Sequence, residues 1–183
     1  MRIVGGEFRG RRLAGPKGEA ARPTSDKVRE ALFSILGDVE GLRMLDLFAG
    51  TGAVALEALS RGADRAVAVE RDRKMLSVIR ANAETVLGAD AGRLEVVTGD
   101  ALKQLAAGHL GRFDLVFIDP PYRDAERLGP QLTELLPSVL TGAATVVTES
   151  DRRTALDLSG SGLAQVSEHR YGDTLLRTLK SDE

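Results

Sequence analysis

Asp119-Pro120-Pro121-Tyr122 is the stretch whose residue types most narrowly define a chemistry in this 183-residue chain. Two consecutive prolines have no N–H to give to a sheet and hold the backbone extended and stiff. The Asp119 carboxylate and the Pro120 carbonyl then point at one spot as two acceptors. The exocyclic amine of a nucleobase has two protons to donate there, while its lone pair is delocalised into the ring. Accepting both protons steers the nitrogen toward tetrahedral geometry and offsets the positive charge that grows as it takes up a methyl group. Tyr122 offers an aromatic face on which a flat base can stack. The plain alternative is an ordinary proline turn after a strand, and three acids upstream weigh against it.

The first of these opens Asp46-Leu47-Phe48-Ala49-Gly50-Thr51-Gly52. Gly50 and Gly52 let the backbone turn tightly against a ligand, and the helix that follows presents free N–H groups. Ala55 stands where a dinucleotide fingerprint needs a small residue, so the glycines alone leave NAD open. Asp46 weighs against it: a carboxylate repels a pyrophosphate but pairs with an ammonium, and S-adenosylmethionine carries one on its methionine end. Glu70, followed by Arg71, ends the next strand and suits two ribose hydroxyls. Asp100 suits an adenine amino group, with the Ala101 N–H donating to a ring nitrogen. The expected donor-binding set is therefore Asp46, Phe48, Ala49, Gly50, Thr51, Gly52, Glu70, Arg71, Asp100 and Ala101. Each acid alone could simply cap a helix; three in order, at strand ends, are harder to explain that way.

Positioning these residues requires strands alternating with helices. Met44–Leu47, Ala66–Val69, Leu94–Val97, the almost wholly apolar Leu115–Ile118 and Ala144–Thr148 read as strands. Helices are expected from a Thr24 or Ser25 cap to Gly37, over Ala53–Ser60, from an Asp72 cap through Val86, over Ala101–Ala106, and over Leu128–Leu140 with a disturbance at Pro137. Leu163–Tyr171 and Thr174–Leu179 read as a hairpin around Gly172-Asp173. Arg2–Pro16, with short apolar stretches broken by glycines, reads as a small β-hairpin or arm. The class is α/β, a doubly wound parallel sheet with an antiparallel member at the end.

Composition narrows the field further. With 43% hydrophobic and 28% charged residues the chain is neither disordered nor carries the ~20-residue apolar run of a membrane helix. Its first residues lack a signal-peptide pattern, so a cytoplasmic location is expected. It has no cysteine, and His109 and His169 match no metal spacing, so no metal is expected. Residues 1–29 sum to +5 and the remainder to −7, a basic arm on an acidic body that suits a polyanion at one end.

The chain resembles the amino-methyltransferases of the class I S-adenosylmethionine-dependent superfamily, whose signature is Asp/Asn/Ser-Pro-Pro-aromatic. More narrowly, it resembles the bacterial RsmD family, through Arg2-Ile3-Val4-Gly5-Gly6, Phe8-Arg9-Gly10-Arg11, Arg22-Pro23-Thr24, Lys27-Val28-Arg29-Glu30 and Tyr171-Gly172-Asp173-Thr174. The resemblance implies a Rossmann-like sheet of seven strands with the last antiparallel, and methylation of guanine N2 in 16S rRNA presented in a small-subunit precursor. Residues 1–37 are then a substrate-contacting extension and 38–183 the methyltransferase domain. Arg9, Arg11, Arg12, Arg22 and Arg29 are the candidates for RNA contact, Lys27, Arg29 and Glu30 being expected on the outward face of the first helix. Neither an obligate protein partner nor a membrane is expected. The rivals are a DNA adenine-N6 methyltransferase, an NAD-dependent oxidoreductase and a nucleic-acid-binding module without activity.

Overall fold

Five α-helices and seven strands form among the residues described by the computed structural model, which are 1–15, 24–151, 153–154 and 156–181. They fall into two compact units, Met1–Asp100 and Ala101–Glu183. The first holds α1 (Asp26–Leu36), β1 (Arg43–Asp46), α2 (Ala53–Ser60), β2 (Arg65–Glu70), α3 (Arg73–Leu87) and β3 (Leu94–Thr98). The second holds α4 (Ala101–Ala107), β4 (Phe113–Ile118), α5 (Ala125–Leu135), β5 (Leu140–Asp151), β6 (Leu163–Tyr171) and β7 (Thr174–Ser181). The described parts of the expected 1–37 extension belong to the first unit.

Within the first unit the strands lie in the order β3-β2-β1, and within the second in the order β4-β5-β7-β6. β1, β2 and β3 run parallel, with Asp46 beside Ala68 and Glu70 beside Thr98, so their carboxyl ends share one edge. β4 and β5 are likewise parallel, Ile118 beside Thr148, while β7 runs antiparallel to β5 and β6 antiparallel to β7. β6 ends the order; its register shifts between Gln165 and Ser167, where Val166 is 54% exposed.

Local chemistry sets the element ends. Ser25 Oγ accepts from Val28 N at 3.2 Å to start α1, and the Gly37 N–H closes it on the Phe33 carbonyl. Asp72 accepts from Lys74 N at 2.7 Å and from Met75 N at 3.2 Å to start α3. The helix expected to run to Leu140 ends at Leu135. A tighter 3₁₀ turn takes over Leu136–Val139 with Pro137 near its start, because that proline has no N–H to continue the α ladder.

The amino-terminal hairpin is reduced to a single antiparallel bridge, Arg2 to Arg12, with Ile3 N donating to Arg11 O at 2.9 Å and Leu13 N to Met1 O at 3.0 Å. It is seated on α2, all eight residues of which are buried. Glu57, the one charged residue of that helix, accepts from Val4 N at 2.9 Å and Gly5 N at 2.7 Å. Ser60 Oγ accepts from Phe8 N at 2.9 Å and donates to Gly5 O at 2.6 Å, and Ser60 O accepts from Glu7 N at 2.7 Å. Gly6 lies so close that a Cβ there would stand 1.8 Å from the Ser60 oxygen, and its φ of +75° favours glycine in any case.

Arg29 departs from the sequence expectation. It does not face outward: its side chain is 0% exposed, with Nε 3.6 Å from Glu57 Oε2 and Nη2 3.0 Å from Asp26 Oδ1, and it donates to the carbonyls of Arg2 and Thr24. The apolar stripe of α1 is rotated toward Arg29 and Phe33 because a carboxylate buried in α2 needs a cation at that place. Arg29 is thus withdrawn from contact with any RNA.

Glu57 is the buried counter-charge of Arg29, so Glu57→Ala leaves that guanidinium only the part-exposed Asp26 and frees two backbone N–H groups. The expected loss is about 3–5 kcal/mol of folding free energy. A denaturant-unfolding midpoint within error of the unaltered protein's would contradict this account.

Candidate active site

In the first unit the donor-binding candidates cluster at the carboxyl ends of β1, β2 and β3. Asp46, at the end of β1, is 1% exposed. The loop after it turns on itself, Gly52 N donating to Ala49 O at 2.7 Å, and Ala49 N donating to Val69 O at 3.1 Å. Ala49 and Thr51 are buried, Phe48 is half-buried, and Gly52 caps α2 in the left-handed conformation. At Gly50, φ is +54° and nothing lies within 4 Å of where a Cβ would stand, so the loop is open on that side.

Glu70 organises this edge. Its Oε2 accepts from Gly50 N at 2.8 Å, and its Oε1 accepts from both Arg71 N and Asp72 N at 2.8 Å. One carboxylate so joins the glycine loop to the turn between β2 and α3. An ionised carboxylate has about four acceptor sites, which leaves capacity for a ligand hydroxyl. The same bond bears on the dinucleotide alternative. The Gly50 N–H, which a pyrophosphate would need, is already engaged by a negative group. Gly99 N donates to Glu70 O at 2.9 Å, bringing Asp100 to the same edge, where Arg71 Nη1 stands 3.8 Å from Asp100 Oδ2. Arg71 and Asp100 are 56% and 39% exposed, so this pair restrains more than it stabilises. The donor set fits S-adenosylmethionine: a buried acid for an ammonium, an open glycine for close approach, and acids at the next two strand ends.

In the second unit, Ala101 opens α4 and is buried. Asp119 follows the apolar β4 and is half-buried, Pro120 is buried and Pro121 exposed. The Pro121 carbonyl accepts from Asp124 N at 2.8 Å, closing the 3₁₀ turn Tyr122–Asp124 that follows the prolines. The Tyr122 side chain lies outside what is described.

Of the arginines singled out in the sequence, Arg9 and Arg12 are exposed on the bridged segment. Arg11 is exposed too, but its guanidinium lies 4.6 Å over the Phe8 ring and donates to the Val86 carbonyl, so it helps seat the segment. Arg22 lies outside the described residues. Two residues that the sequence reading passed over are Glu57 and Asn82. Each left a signal: a lone charge in the otherwise apolar Ala53–Leu59 run, and an amide in the buried stripe of Ile79, Ala83 and Val86. Among the described residues no group of three His, Cys, Asp or Glu could hold a metal ion, and no helix is long and apolar enough to cross a membrane.

The family described as Conserved hypothetical protein 95 matches residues 1–180. YlbH of Bacillus subtilis is 35% identical over 178 residues, 95% of each chain. Ribosomal RNA small subunit methyltransferase D of Escherichia coli is 43% identical over 124 residues, a match covering 67% of this chain and 61% of that protein's length. The solved structure of yhhF from Escherichia coli superposes with a TM-score of 0.83 at 34% identity, covering 100% of this chain and 98% of that one.

If Glu70 holds the glycine loop, Glu70→Ala frees the N–H groups of Gly50, Arg71 and Asp72 together. Amide hydrogen exchange at these three is expected to accelerate about tenfold or more. Exchange at Leu45 and Val67, inside β1 and β2, should stay unchanged. Unaltered protection at Gly50 would show that the loop is held by other means.

Proposed function

The chain belongs to the Conserved hypothetical protein 95 family, the RsmD-like group its sequence resembles, and on that footing we propose that it methylates the exocyclic N2 of a guanine in small-subunit ribosomal RNA. The observation that carries the reading is Asp119-Pro120 at the end of β4, in a chain 43% identical over 124 residues to a ribosomal RNA small subunit methyltransferase. That relative's name favours ribosomal RNA over the DNA-adenine alternative, and the engagement of the Gly50 N–H by Glu70 disfavours the NAD alternative.

S-adenosylmethionine, bound at the first unit's loops, supplies a methyl group on a sulfonium, whose carbon–sulfur bond breaks as the carbon–nitrogen bond forms. Asp46 balances the donor's ammonium. Glu70 offers its remaining acceptor capacity to the ribose, and Asp100 and the Ala101 N–H hold the adenine. Phe48, Ala49, Gly50, Thr51 and Gly52 shape the cradle, with Arg71 steadying Asp100. On the acceptor side, the Asp119 carboxylate and the Pro120 carbonyl accept hydrogen bonds from the two amine N–H groups and orient the nitrogen, which sheds one proton to solvent once the methyl group is bound. Asp119 also offsets the positive charge that builds on it before a proton is lost. Tyr122 supplies the stacking face. No covalent link to the enzyme is required.

Residues 1–37 act as the substrate-contacting extension, with Arg9 and Arg12 meeting phosphates. Arg22 stays a candidate on sequence grounds. The substrate is taken to be a small-subunit precursor, which places the reaction in the cytoplasm.

Two experiments test this reading. Asp119→Ala should lower turnover on small-subunit RNA by roughly a hundredfold or more, with donor affinity largely kept, because the lost bonds form chiefly as charge develops on the amine. Near-normal turnover at saturating substrate would remove Asp119 from its role. Arg9→Ala combined with Arg12→Ala, leaving Arg11 to seat the segment, should weaken RNA binding. It should also reduce the slope of log affinity against log salt by about 0.7–0.9 for each lost phosphate contact. An unchanged slope with full activity would return these arginines to a merely solvating role.

A further inference from the structure

Asn82 takes no part in the steps above, yet it lies on α3 at 1% exposure and bonds to two segments distant in sequence. Its Nδ2 donates to Thr51 O at 2.9 Å and to Ala14 O at 3.1 Å, and its Oδ1 accepts from Ala14 N at 2.7 Å. The network fixes which way the amide points, for turning it over would set its NH₂ against the Ala14 N–H and its oxygen against two carbonyls. One side chain therefore satisfies both backbone groups of Ala14, as a neighbouring strand would, and holds one carbonyl of the glycine loop. Ala14 stands two residues after Arg12, on the segment that Glu57 and Ser60 seat from its other end.

We propose that Asn82 is a positioning residue that fixes the donor loop through the Thr51 carbonyl and makes that loop's geometry depend on the seating of the RNA-facing segment. The proposal rests on the functional reading above, since it takes Gly50–Gly52 as the donor loop. Burial sets the direction of the effect. Thr51 is 5% exposed, so water cannot readily replace the amide at its carbonyl, whereas Ala14 is exposed and its backbone can turn to solvent. Loss of Asn82 therefore falls mainly on the donor loop. A change at Ala14 reaches that loop only through the amide, which loses its donor at Oδ1 while buried and must shift to find another. A positive test at Ala14 would thus reveal a connection that neither residue's own contacts with the donor could supply.

The test is calorimetric titration of the full chain with S-adenosylmethionine and, separately, S-adenosylhomocysteine, alongside a thermal unfolding scan of each protein. Asn82→Leu, which removes all three bonds, should raise Kd for both ligands about tenfold. Ala14→Pro removes the N–H donated to Oδ1, and it also fixes the backbone at residue 14 and restricts Leu13 before it. It should raise Kd by about threefold, a melting temperature close to that of the unaltered protein showing that the segment stays seated. A purely structural role would lower the melting temperature of Asn82→Leu and leave the Kd of the folded protein where it was. If Asn82→Leu does not fold, Ala14→Pro decides the matter. Unchanged affinity in Ala14→Pro, with the unaltered protein binding normally, overturns this inference alone. Failure of the unaltered protein to bind either ligand overturns the functional reading and this inference with it.

Discussion

A carboxylate placed inside an otherwise apolar helix must be surrounded by donors or the helix will not stay buried, and in the first unit that constraint falls on Glu57. Its oxygens take two backbone N–H groups from the amino-terminal segment, the Nε of Arg61 at 2.9 Å, and the charge of Arg29. Each donor brings a consequence. The backbone donors require residues 4 and 5 to lie on α2, which leaves Gly6 no room for a side chain. The Arg29 guanidinium requires α1 to turn its buried face toward Glu57, and Asp26 and the carbonyls of Thr24 and Arg2 accept from its other nitrogens. A sequence segment that reads as a loose basic arm is in this way made part of the body, and the exposed arginines on it are held in place.

Much of the fold was legible because it rests on short-range signals. Leu115–Ile118 could hardly be anything but a covered central strand, and Ser25, Gly37, Asp72 and Pro137 mark element ends through bonds made within a few residues. Arg29 was misread for the opposite reason. Periodicity assigns an arginine to the wet side of a helix, and only the distant Glu57 makes the dry side preferable. The same limit applied to Asn82, whose partners lie 31 and 68 residues away. Of the candidate site, the strand-end acids could be found from type and place alone. That Glu70 already bonds three backbone amides could not, since those bonds depend on how the turn at Arg71-Asp72 closes.

The pattern has a functional logic. Donor loops on rigid strands need their backbone polar groups satisfied before a ligand arrives, or ordering them draws on binding energy. Glu70 and the Asn82 amide do this for the glycine loop, one accepting from Gly50 and the other donating to Thr51. Asp119 sits on a stiffer support still, between an apolar strand and two prolines. Preorganisation is thus achieved by different means in the two units: hydrogen-bonded loops in one, and restricted backbone torsions in the other.

The bulge in β6 bears on how copies of this protein behave toward one another. An outermost strand offers unpaired backbone groups to any neighbour that can align with it, and an exposed valine would add apolar surface to such a join. Here the shift between Gln165 and Ser167 breaks the regular spacing at Val166 itself. Just beyond it, Glu168 accepts from Arg177 at 2.9 Å and from Arg170 at 3.1 Å, bonds that lower its pKa below the ordinary glutamate value. Glu168 therefore keeps its charge to lower pH than an unpaired glutamate does. Irregular spacing and a persistent charge cluster together discourage edge-to-edge aggregation, a protection that a straightened, neutral β6 would forfeit.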